Sequence, residues 1–179
     1  MRVIAGTARS IQLKAPKGDN TRPTQDRIKE TLFNMIQSDI CDSVFVDLFA
    51  GSGGMGIEAL SRGASKAYFI DNSKEAIGCI EENLKKTRLE HSATVLKNDF
   101  TGALNLINEE HVDIIFIDPP YDGGFEGAVF DKLKSMKYVD DETMIILEAR
   151  IDKNFTFPSF EIIKEKKYKT NKHIFMRKI

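Results

Sequence analysis

Short apolar runs alternate with amphipathic segments through the middle of the chain, and this alternation constrains the fold more than any other feature. Strand-like runs occupy residues 44–49, 66–70, 93–96, 112–117 and 143–147. The segments between them carry apolar residues at helical spacing, so the sequence predicts strands that alternate with helices. This pattern is typical of an α/β protein with a parallel, doubly wound sheet.

The two ends of the chain add antiparallel elements to this fold. Residues 160–167 and 172–177 flank a polar turn and predict a closing hairpin at one edge of the sheet. Residues 2–5 and 10–14 predict a small N-terminal β-hairpin, and Pro23 opens a helical pattern after a polar loop. We expect one domain over residues 1–179, made of an N-terminal extension (1–40) and a core (41–179).

The composition indicates a soluble protein without bound metal. Hydrophobic residues make up 41% of the chain and charged residues 30%. No apolar run reaches the roughly 18 residues that a membrane span needs, and the N-terminus has no signal-peptide core, so we expect a cytoplasmic protein without a membrane partner. Cys41 and Cys79 form no CxxC pair and the three histidines are scattered, so we expect neither a metal site nor a disulfide.

Basic residues concentrate at the two ends of the chain, although its net charge is only -1. Residues 1–29 carry seven basic and two acidic side chains, and residues 164–179 carry seven and one. Basic ends around an acidic body predict a polyanionic partner. Solvated lysines, some of which protect the edge of the sheet, are the alternative explanation.

A carboxylate, two prolines and an aromatic residue end the fourth strand-like run, as Asp118-Pro119-Pro120-Tyr121. Ligands of open α/β sheets bind at this end of the strands. The prolines stiffen the turn and lack N–H groups, so its carbonyls face outward. A rigid pair of acceptors beside an aromatic ring is suited to hold a planar amine, such as the exocyclic amine of a nucleobase.

A glycine-rich turn follows the first strand of the core, from Gly51 to Gly56. Such turns let the backbone approach a ligand, and the spacing of these glycines fits NAD as well as S-adenosylmethionine. Asp47 argues against NAD, because a carboxylate at the strand end repels a pyrophosphate but accepts hydrogen bonds from an amino-acid ammonium.

Acidic residues end four successive strands, namely Asp47, Asp71, Asp99 and Asp118. Asp71 follows Gly51 by 20 residues, the spacing at which a carboxylate reaches ribose hydroxyls. Asp99 is placed to accept from an adenine amino group, with Phe100 packing on the ring. A cationic sulfonium cofactor favours such an acidic rim, and helix capping is the alternative explanation for one or two of these residues.

These residues resemble the class I S-adenosylmethionine-dependent methyltransferases, in which D-L-F-A-G-S-G-x-x-G and D-P-P-Y occur together. Within that class, the sequence most specifically resembles the ribosomal small subunit methyltransferase D family, which methylates the exocyclic N2 amine of a guanine in 16S rRNA. Residues 1–6, 21–34, 47–63 and 118–121 occur in the order found in that family. The resemblance covers nearly the whole chain, and the R-P-T-x-D-R motif of residues 22–27 is its most distinguishing part. The family often has glycine where Ser10 stands.

The resemblance implies a Rossmann-like fold with a mostly parallel seven-stranded sheet, in which residues 1–40 cover the cofactor and contact RNA. It implies S-adenosyl-L-methionine as cofactor, 16S rRNA or the assembling small ribosomal subunit as partner, and a monomer. The cofactor-binding candidates are Asp47, Phe49, Gly51, Gly53, Asp71, Asn72, Asp99, Phe100 and Thr24. The RNA-binding candidates are Arg2, Arg9, Arg22 and Arg27. For Arg22 and Arg27 a contact with the cofactor carboxylate stays open, and Arg27 has the further alternative of pairing with Asp26 or Glu30 on its own helix.

The catalytic candidates are Asp118, Pro119 and Tyr121. Asp118 and the Pro119 carbonyl accept the two hydrogens of the amine, so its lone pair is freed from the ring and aimed at the sulfonium methyl. Tyr121 stacks on the base, which must leave its stack to reach the site. Orientation then carries much of the rate, and no covalent intermediate is needed.

Three other functions stay open from the sequence. Adenine-N6 methylation of DNA also uses D-P-P-Y, but 179 residues leave no room for a separate target-recognition domain. Glutamine methylation in a protein is usually associated with Asn in place of Asp118. A non-catalytic RNA-binding assembly factor would keep the fold without turnover, and the intact Asp118 argues against it.

Overall fold

The structure is a computed structural model that describes residues 1–17, 23–120 and 124–179. Its helices are α1 (Pro23–Met35), α2 (Gly54–Ser61), α3 (Lys74–Thr87), α4 (Phe100–Leu104) and α5 (Glu126–Lys134). Its strands are β1 (Val44–Leu48), β2 (Lys66–Asp71), β3 (Ala93–Lys97), β4 (Ile114–Ile117), β5 (Met144–Arg150), β6 (Phe160–Lys167) and β7 (Asn171–Lys178). None of the helices in the described part of the chain is both long and apolar enough to span a membrane.

The strands of the described residues form one seven-stranded sheet in the order β3-β2-β1-β4-β5-β7-β6. The first five strands along the chain pair in parallel, and β7 is antiparallel to both of its neighbours. The prediction of a mostly parallel sheet with a closing antiparallel hairpin is therefore confirmed. The chain reverses its direction of travel across the sheet between β3 and β4. The ends of β1 and β4 thus form the topological switch point, where ligands bind in open α/β sheets.

Helices cover both faces of the sheet, and each face has its own apolar core. Side chains alternate along β1, so Phe45 packs with α1, α2 and α3, while Val46 and Leu48 pack with α4 and α5. Strands that are covered on both faces need nearly continuous apolar runs, which explains the uniform burial of β4 from Ile114 to Ile117.

The N-terminal segment forms a short hairpin that lies on α2. Arg2 and Gln12 form a single antiparallel bridge, so the predicted pairing is confirmed but neither arm is a full strand. Ser10 in its turn has φ +70°, a left-handed conformation that favours glycine and gives a reason for the glycine often found there in the family. A β-carbon on Gly6 would collide with the backbone of Ser61, so the hairpin contacts the end of α2 directly.

The sequence pattern predicted helices over residues 57–62 and 100–107 and a strand over residues 143–147 that ends at Glu148, and in each case at least one bound was wrong. Helix α2 begins at Gly54 rather than Ile57, because Asp47 accepts a hydrogen bond in its first turn and replaces a side-chain cap. Helix α4 ends at Leu104 rather than at residue 107. From Asn105 onward the backbone N–H groups donate to carbonyls three residues earlier, which ends the α-helical pattern. Strand β5 continues past Glu148 to residue 150, because β7 provides hydrogen-bond partners along that length.

Candidate active site

The carboxyl ends of β1 and β4 lie side by side and bring the glycine-rich turn and Asp118 to one edge of the sheet. Leu48 of β1 pairs with Ile117 of β4 in parallel register, so the residues that follow them leave the sheet at neighbouring points. Asp71 ends β2 on the other side of β1. The structure therefore gathers the predicted strand-end residues at the switch point.

Asp47 lies beneath the glycine-rich turn and is almost completely buried, with 2% of its surface exposed. Its Oδ2 accepts a hydrogen bond of 2.9 Å from the Gly56 N–H in the first turn of α2. Burial raises the pKa of Asp47 from its ordinary value of 3.8 to about 7, although the Gly56 hydrogen bond opposes this rise. The carboxylate faces a helix end rather than open solvent, so its contact with a ligand ammonium stays a prediction.

Asp71 joins the glycine-rich turn to the end of β2. Its Oδ2 accepts a hydrogen bond of 2.9 Å from the Gly51 N–H, and its Oδ1 accepts one of 2.8 Å from the Ser73 N–H. Each oxygen keeps a second lone pair, and the side chain is partly exposed, so ribose hydroxyls can still donate to it. Gly51 and Gly53 have φ of +53° and +75°, which explains why glycine stands at these two positions of the turn. Asn72 is exposed beside Asp71.

Asp99 is exposed and caps α4, where its Oδ1 accepts a hydrogen bond of 2.9 Å from the Gly102 N–H. Capping therefore does account for one contact of Asp99, and Asp47 and Asp71 also accept backbone N–H groups. Capping and ligand binding are compatible, because a carboxylate offers about four acceptor positions. Asp71 and Asp99 therefore remain accessible at this edge, and a cationic ligand would reduce the repulsion between their charges.

Three phenylalanine rings cluster at the same edge of the sheet. The ring centroid of Phe49 lies 5.9 Å from that of Phe100 and 6.1 Å from that of Phe125, and the latter two are 6.1 Å apart. Phe49 has φ +70°, which costs a non-glycine residue about 1–3 kcal/mol and shows that the surrounding structure holds this ring in place. Phe125 was not among the predicted site residues. An aromatic residue between the D-P-P-Y turn and α5 is the feature of the sequence that could have indicated it. The cluster provides an aromatic surface for a planar ring.

The turn that carries Asp118 follows β4, all of whose residues are buried. Asp118 is partly buried, Pro119 is buried and Pro120 is exposed, so the turn extends from the core to the surface. Three predicted site groups lie outside the described residues, namely Arg22, Tyr121 and the side chain of Thr24. The catalytic roles of Asp118, Pro119 and Tyr121 stay predictions.

The described arginines of the N-terminal extension have different surroundings. Arg2 pairs with Asp26, with 3.6 Å between Nε and Oδ2. Arg9 is exposed in the hairpin turn. Arg27 is exposed on α1, and within the described ranges it forms no ion pair with Asp26 or Glu30. Its charge is therefore available to a ligand.

The basic residues near the C-terminus are divided between the surface and the interior. Lys172 is only 2% exposed and pairs with Glu165, with 2.8 Å between Nζ and Oε1. Lys178 donates to the Val139 carbonyl. The basic surface at this end is therefore smaller than its seven basic side chains suggest.

An ion-pair network that the sequence did not predict joins the N-terminal extension to the core. Glu58 of α2 pairs with Lys29 of α1 and with Arg62, at 3.1 and 2.8 Å. The same carboxylate accepts hydrogen bonds from the Ile4 and Ala5 N–H groups. The sequence signal for it is a charged residue within a helix that is otherwise apolar. The network fixes the extension to the helix that follows the glycine-rich turn.

The titratable side chains of the described residues do not form a metal site. No group of three or more His, Cys, Asp or Glu side chains comes close enough to hold a metal ion within residues 1–17, 23–120 and 124–179. Cys41 is exposed and Cys79 is buried, and both are free thiols.

Comparisons with known proteins agree with this geometry. The family model described as conserved hypothetical protein 95 matches residues 1–177. A putative rRNA methyltransferase, YlbH, of Bacillus subtilis is 39% identical over 150 residues, which are 83% of this chain and 82% of the relative. The ribosomal RNA small subunit methyltransferase D of Haemophilus influenzae is 32% identical over 169 residues, or 93% of this chain and 88% of the relative.

Solved structures show the same fold. A putative methyltransferase, yhhF, of Escherichia coli superposes with a TM-score of 0.83 at 28% identity and covers 99% of this chain and 97% of its own. The putative methylase HI0767 of Haemophilus influenzae gives a TM-score of 0.82 at 29% identity, with coverage of 100% and 98%. The fold is thus the Rossmann-like methyltransferase fold, and the chain belongs to the conserved hypothetical protein 95 family, as a homologue of the ribosomal RNA small subunit methyltransferase D proteins.

Proposed function

We propose that this protein transfers a methyl group from S-adenosylmethionine to the exocyclic N2 amine of a guanine in 16S rRNA. The observation that carries the proposal is the pairing of Leu48 with Ile117, which sets the glycine-rich turn beside the Asp118-Pro119 turn at the switch point. A cofactor held at the ends of β1, β2 and β3 then lies next to an amine held at the end of β4.

The residues at the ends of the first three strands fit the cofactor. Asp71 is positioned by Gly51 and keeps acceptor positions for ribose hydroxyls. Asp99 and the ring of Phe100 suit an adenine base, one as a hydrogen-bond acceptor and the other as a packing surface. S-adenosylmethionine supplies a sulfonium whose methyl group is electrophilic, and the acidic rim favours its positive charge.

The turn after β4 is suited to activate the amine. The lone pair of an exocyclic amine is delocalised into the base, so the amine is a weak nucleophile. Asp118 and the Pro119 carbonyl accept its two hydrogens, which draws the lone pair out of the ring and directs it towards the methyl group. Tyr121 stacks on the base and keeps it in line, so the chain contributes mainly orientation.

The choice of rRNA is supported by the homologues and by the basic extension, and the choice of guanine rests on the resemblance to the methyltransferase D family. Several relatives that match most of this chain carry names that specify rRNA, and methyltransferase D is named for the small subunit. The exposed Arg9 and Arg27 lie in the segment that would contact a polyanion. Adenine-N6 methylation and a non-catalytic assembly role are the competing functions.

Mapping of methylated nucleosides tests the proposal. We would incubate the protein with methyl-labelled S-adenosylmethionine and with 16S rRNA or small subunits from cells that lack this gene, and then identify the product nucleosides by mass spectrometry. We expect N2-methylguanosine at a single position of the 16S rRNA. Methylation of adenine instead, or no methylation of either substrate, would overturn the proposal. The two substrates also show whether naked RNA is sufficient.

A further inference from the structure

We propose that the cavity between α1 and the turn that joins β6 to β7 binds a nucleotide of the RNA strand next to the methylated guanine. This inference rests on the proposed function and adds a second RNA site to it. The cavity has a volume of about 310 Å³, at the lower end of the range for ligand pockets. Arg27 and Ile28 line it from α1, and Tyr168, Lys169 and Asn171 line it from the turn.

Asn171 lines this cavity, and the most informative atom of its side chain is the buried Oδ1. Asn171 is 7% exposed, and its Oδ1 is buried without a hydrogen-bond partner among the described residues. A buried acceptor without a partner costs about 1–3 kcal/mol, so it needs a reason. A donor on a bound ligand provides one when the side chains that cover Oδ1 move apart.

The orientation of the Asn171 amide is fixed by its neighbours. Its Nδ2 donates a hydrogen bond of 2.6 Å to Oε1 of Glu148, and a carboxylate can only accept, so the amide cannot turn over. Nε2 of His173 lies 3.0 Å from the other oxygen, Oε2, of the same carboxylate. Nδ1 of His173 lies 3.2 Å from the Tyr168 hydroxyl, so both ring nitrogens of His173 have a partner. The network therefore presents Oδ1 of Asn171 as a fixed acceptor.

The order of the strands places this cavity on the RNA side of the site. Asp118 follows Ile117, whose partner in β5 is Leu147, so Glu148 lies beside the end of β4. His173 of β7 is in turn opposite Glu148. Asn171 is opposite Arg150, two strand spacings across and two residues along from the end of β4, which amounts to roughly 12 Å. Apart from Thr24 of α1, the cofactor candidates lie in the other direction, at the ends of β1, β2 and β3, so we assign Arg27 in this cavity to RNA.

The mixture of groups in the cavity is that of a nucleotide site. Oδ1 of Asn171 requires an N–H or O–H donor, which a simple anion lacks. Arg27 and Lys169 are both exposed and positively charged. Their charges would attract a phosphate, whereas an apolar ligand would not interact with them. Ile28 and the ring of Tyr168 add apolar and aromatic surface for a base. A nucleotide matches all of these groups, because it carries base N–H donors, a planar ring and a phosphate. Because Asn171 lies roughly 12 Å from the end of β4, the cavity holds a neighbour of the base whose amine is at Asp118.

Matched variants on the same hairpin test the site. Lys169→Ala removes a charge that lines the cavity, and Lys167→Ala removes an exposed charge from the same hairpin outside the residues that line it. We expect Lys169→Ala to weaken binding of in vitro transcribed 16S rRNA several-fold and to reduce the salt slope of log Kd by about one, beyond the effect of Lys167→Ala. We expect Asn171→Ala to raise KM for RNA about tenfold relative to Asn105→Ala, a surface control. Affinity for S-adenosylmethionine, measured by calorimetry, should be unchanged in all four variants.

An RNA fragment that lacks one base shows which nucleotide occupies the cavity. Once the methylated guanine is mapped, short fragments are made with an abasic residue on either side of it. One of the two should bind wild-type protein about tenfold more weakly, and the same fragment should lose little further affinity with Asn171→Ala. Equal behaviour of Lys169→Ala and Lys167→Ala, or no effect of either abasic residue, would overturn the nucleotide site while guanine methylation by the wild type still stands. Conversely, loss of RNA affinity in Lys169→Ala without any guanine product would reject the proposed reaction and leave the RNA site.

Discussion

Lys29 of α1 and Glu58 of α2 form an ion pair in which both side chains are almost completely buried, 3% and 0% exposed. Nζ of Lys29 also donates to the Arg2 carbonyl at 2.7 Å, so a single side chain holds two parts of the N-terminal extension. Burial lowers the pKa of Lys29, and the nearby Glu58 carboxylate opposes that change. The ion pair therefore adds a buried polar contact to the apolar packing of Leu32 and Phe33, which also holds α1 over the sheet.

Removal of the Glu58 charge should destabilise the protein strongly. Glu58→Gln leaves the Lys29 ammonium buried without a counter-charge, which typically costs about 3–5 kcal/mol. The free energy of unfolding, measured by urea denaturation, gives the loss. Glu82→Gln is the control, since Glu82 pairs with Lys14 at the surface, where such pairs contribute at most about 1 kcal/mol. Similar losses in the two variants would contradict the structural role of the buried pair.

The glycine at position 56 should be required for packing, unlike a glycine in α3. A β-carbon at Gly56 would collide with the buried ring of Phe69, so Gly56→Ala should cost about 1–3 kcal/mol. A β-carbon at Gly78 meets no atom within 4 Å, and Gly78→Ala should stabilise α3 by about 0.5–1 kcal/mol. Thermal unfolding of the two variants checks both signs. An unchanged melting temperature in Gly56→Ala would show that Phe69 can move aside.

The arrangement of strands and helices could be predicted from the sequence, because it depends on local periodicity. The same holds for the acidic strand ends, since the carboxyl ends of parallel strands meet at one edge of a sheet. The partners of those carboxylates could not be predicted. The contact of Asp47 with a ligand ammonium stays a prediction, whereas its hydrogen bond from the Gly56 N–H depends on where α2 begins.

Contacts between distant parts of the chain also could not be predicted from the sequence. Glu58 and Lys29 are on two different helices, and their ion pair depends on how α1 packs across α2. The cavity at Asn171 depends on α1 lying beside the turn between β6 and β7. The lysines of residues 164–179 were treated as one basic surface, yet Lys172 proves to be buried. Charge counts do not show which side chains face solvent.

The stability of the protein should depend on pH through Asp47. Its pKa in the folded state is about 7, above the ordinary value of 3.8, so the folded state binds the extra proton between these two values. The unfolding free energy of the wild type, relative to Asp47→Asn, should therefore be highest near pH 4 and fall as pH rises to 8, by up to about 4 kcal/mol. Denaturation of both proteins across this range measures the difference. A difference that is constant with pH would show that Asp47 is already ionised in the folded state at pH 4.

The same group links pH to the cofactor. A positively charged ligand near Asp47 favours the ionised carboxylate and would lower its pKa. S-adenosylmethionine should then raise the melting temperature of the wild type more at pH 8 than at pH 6, and that of Asp47→Asn equally at both. Equal shifts for the wild type would place the ligand charge away from Asp47.

Asp118→Ala should separate catalysis from cofactor binding. Loss of the acceptor that orients the amine should reduce kcat at least about 100-fold, the range typical for one positioned catalytic group. Affinity for S-adenosylmethionine should stay nearly unchanged, because the cofactor candidates lie at the ends of β1, β2 and β3. Asp113→Ala is the control, since Asp113 immediately precedes β4 at its other end and accepts a hydrogen bond from the Val44 N–H. It should lose about 1 kcal/mol of stability and little activity. An equal loss of cofactor affinity and turnover in Asp118→Ala would assign Asp118 to the cofactor site instead of the amine.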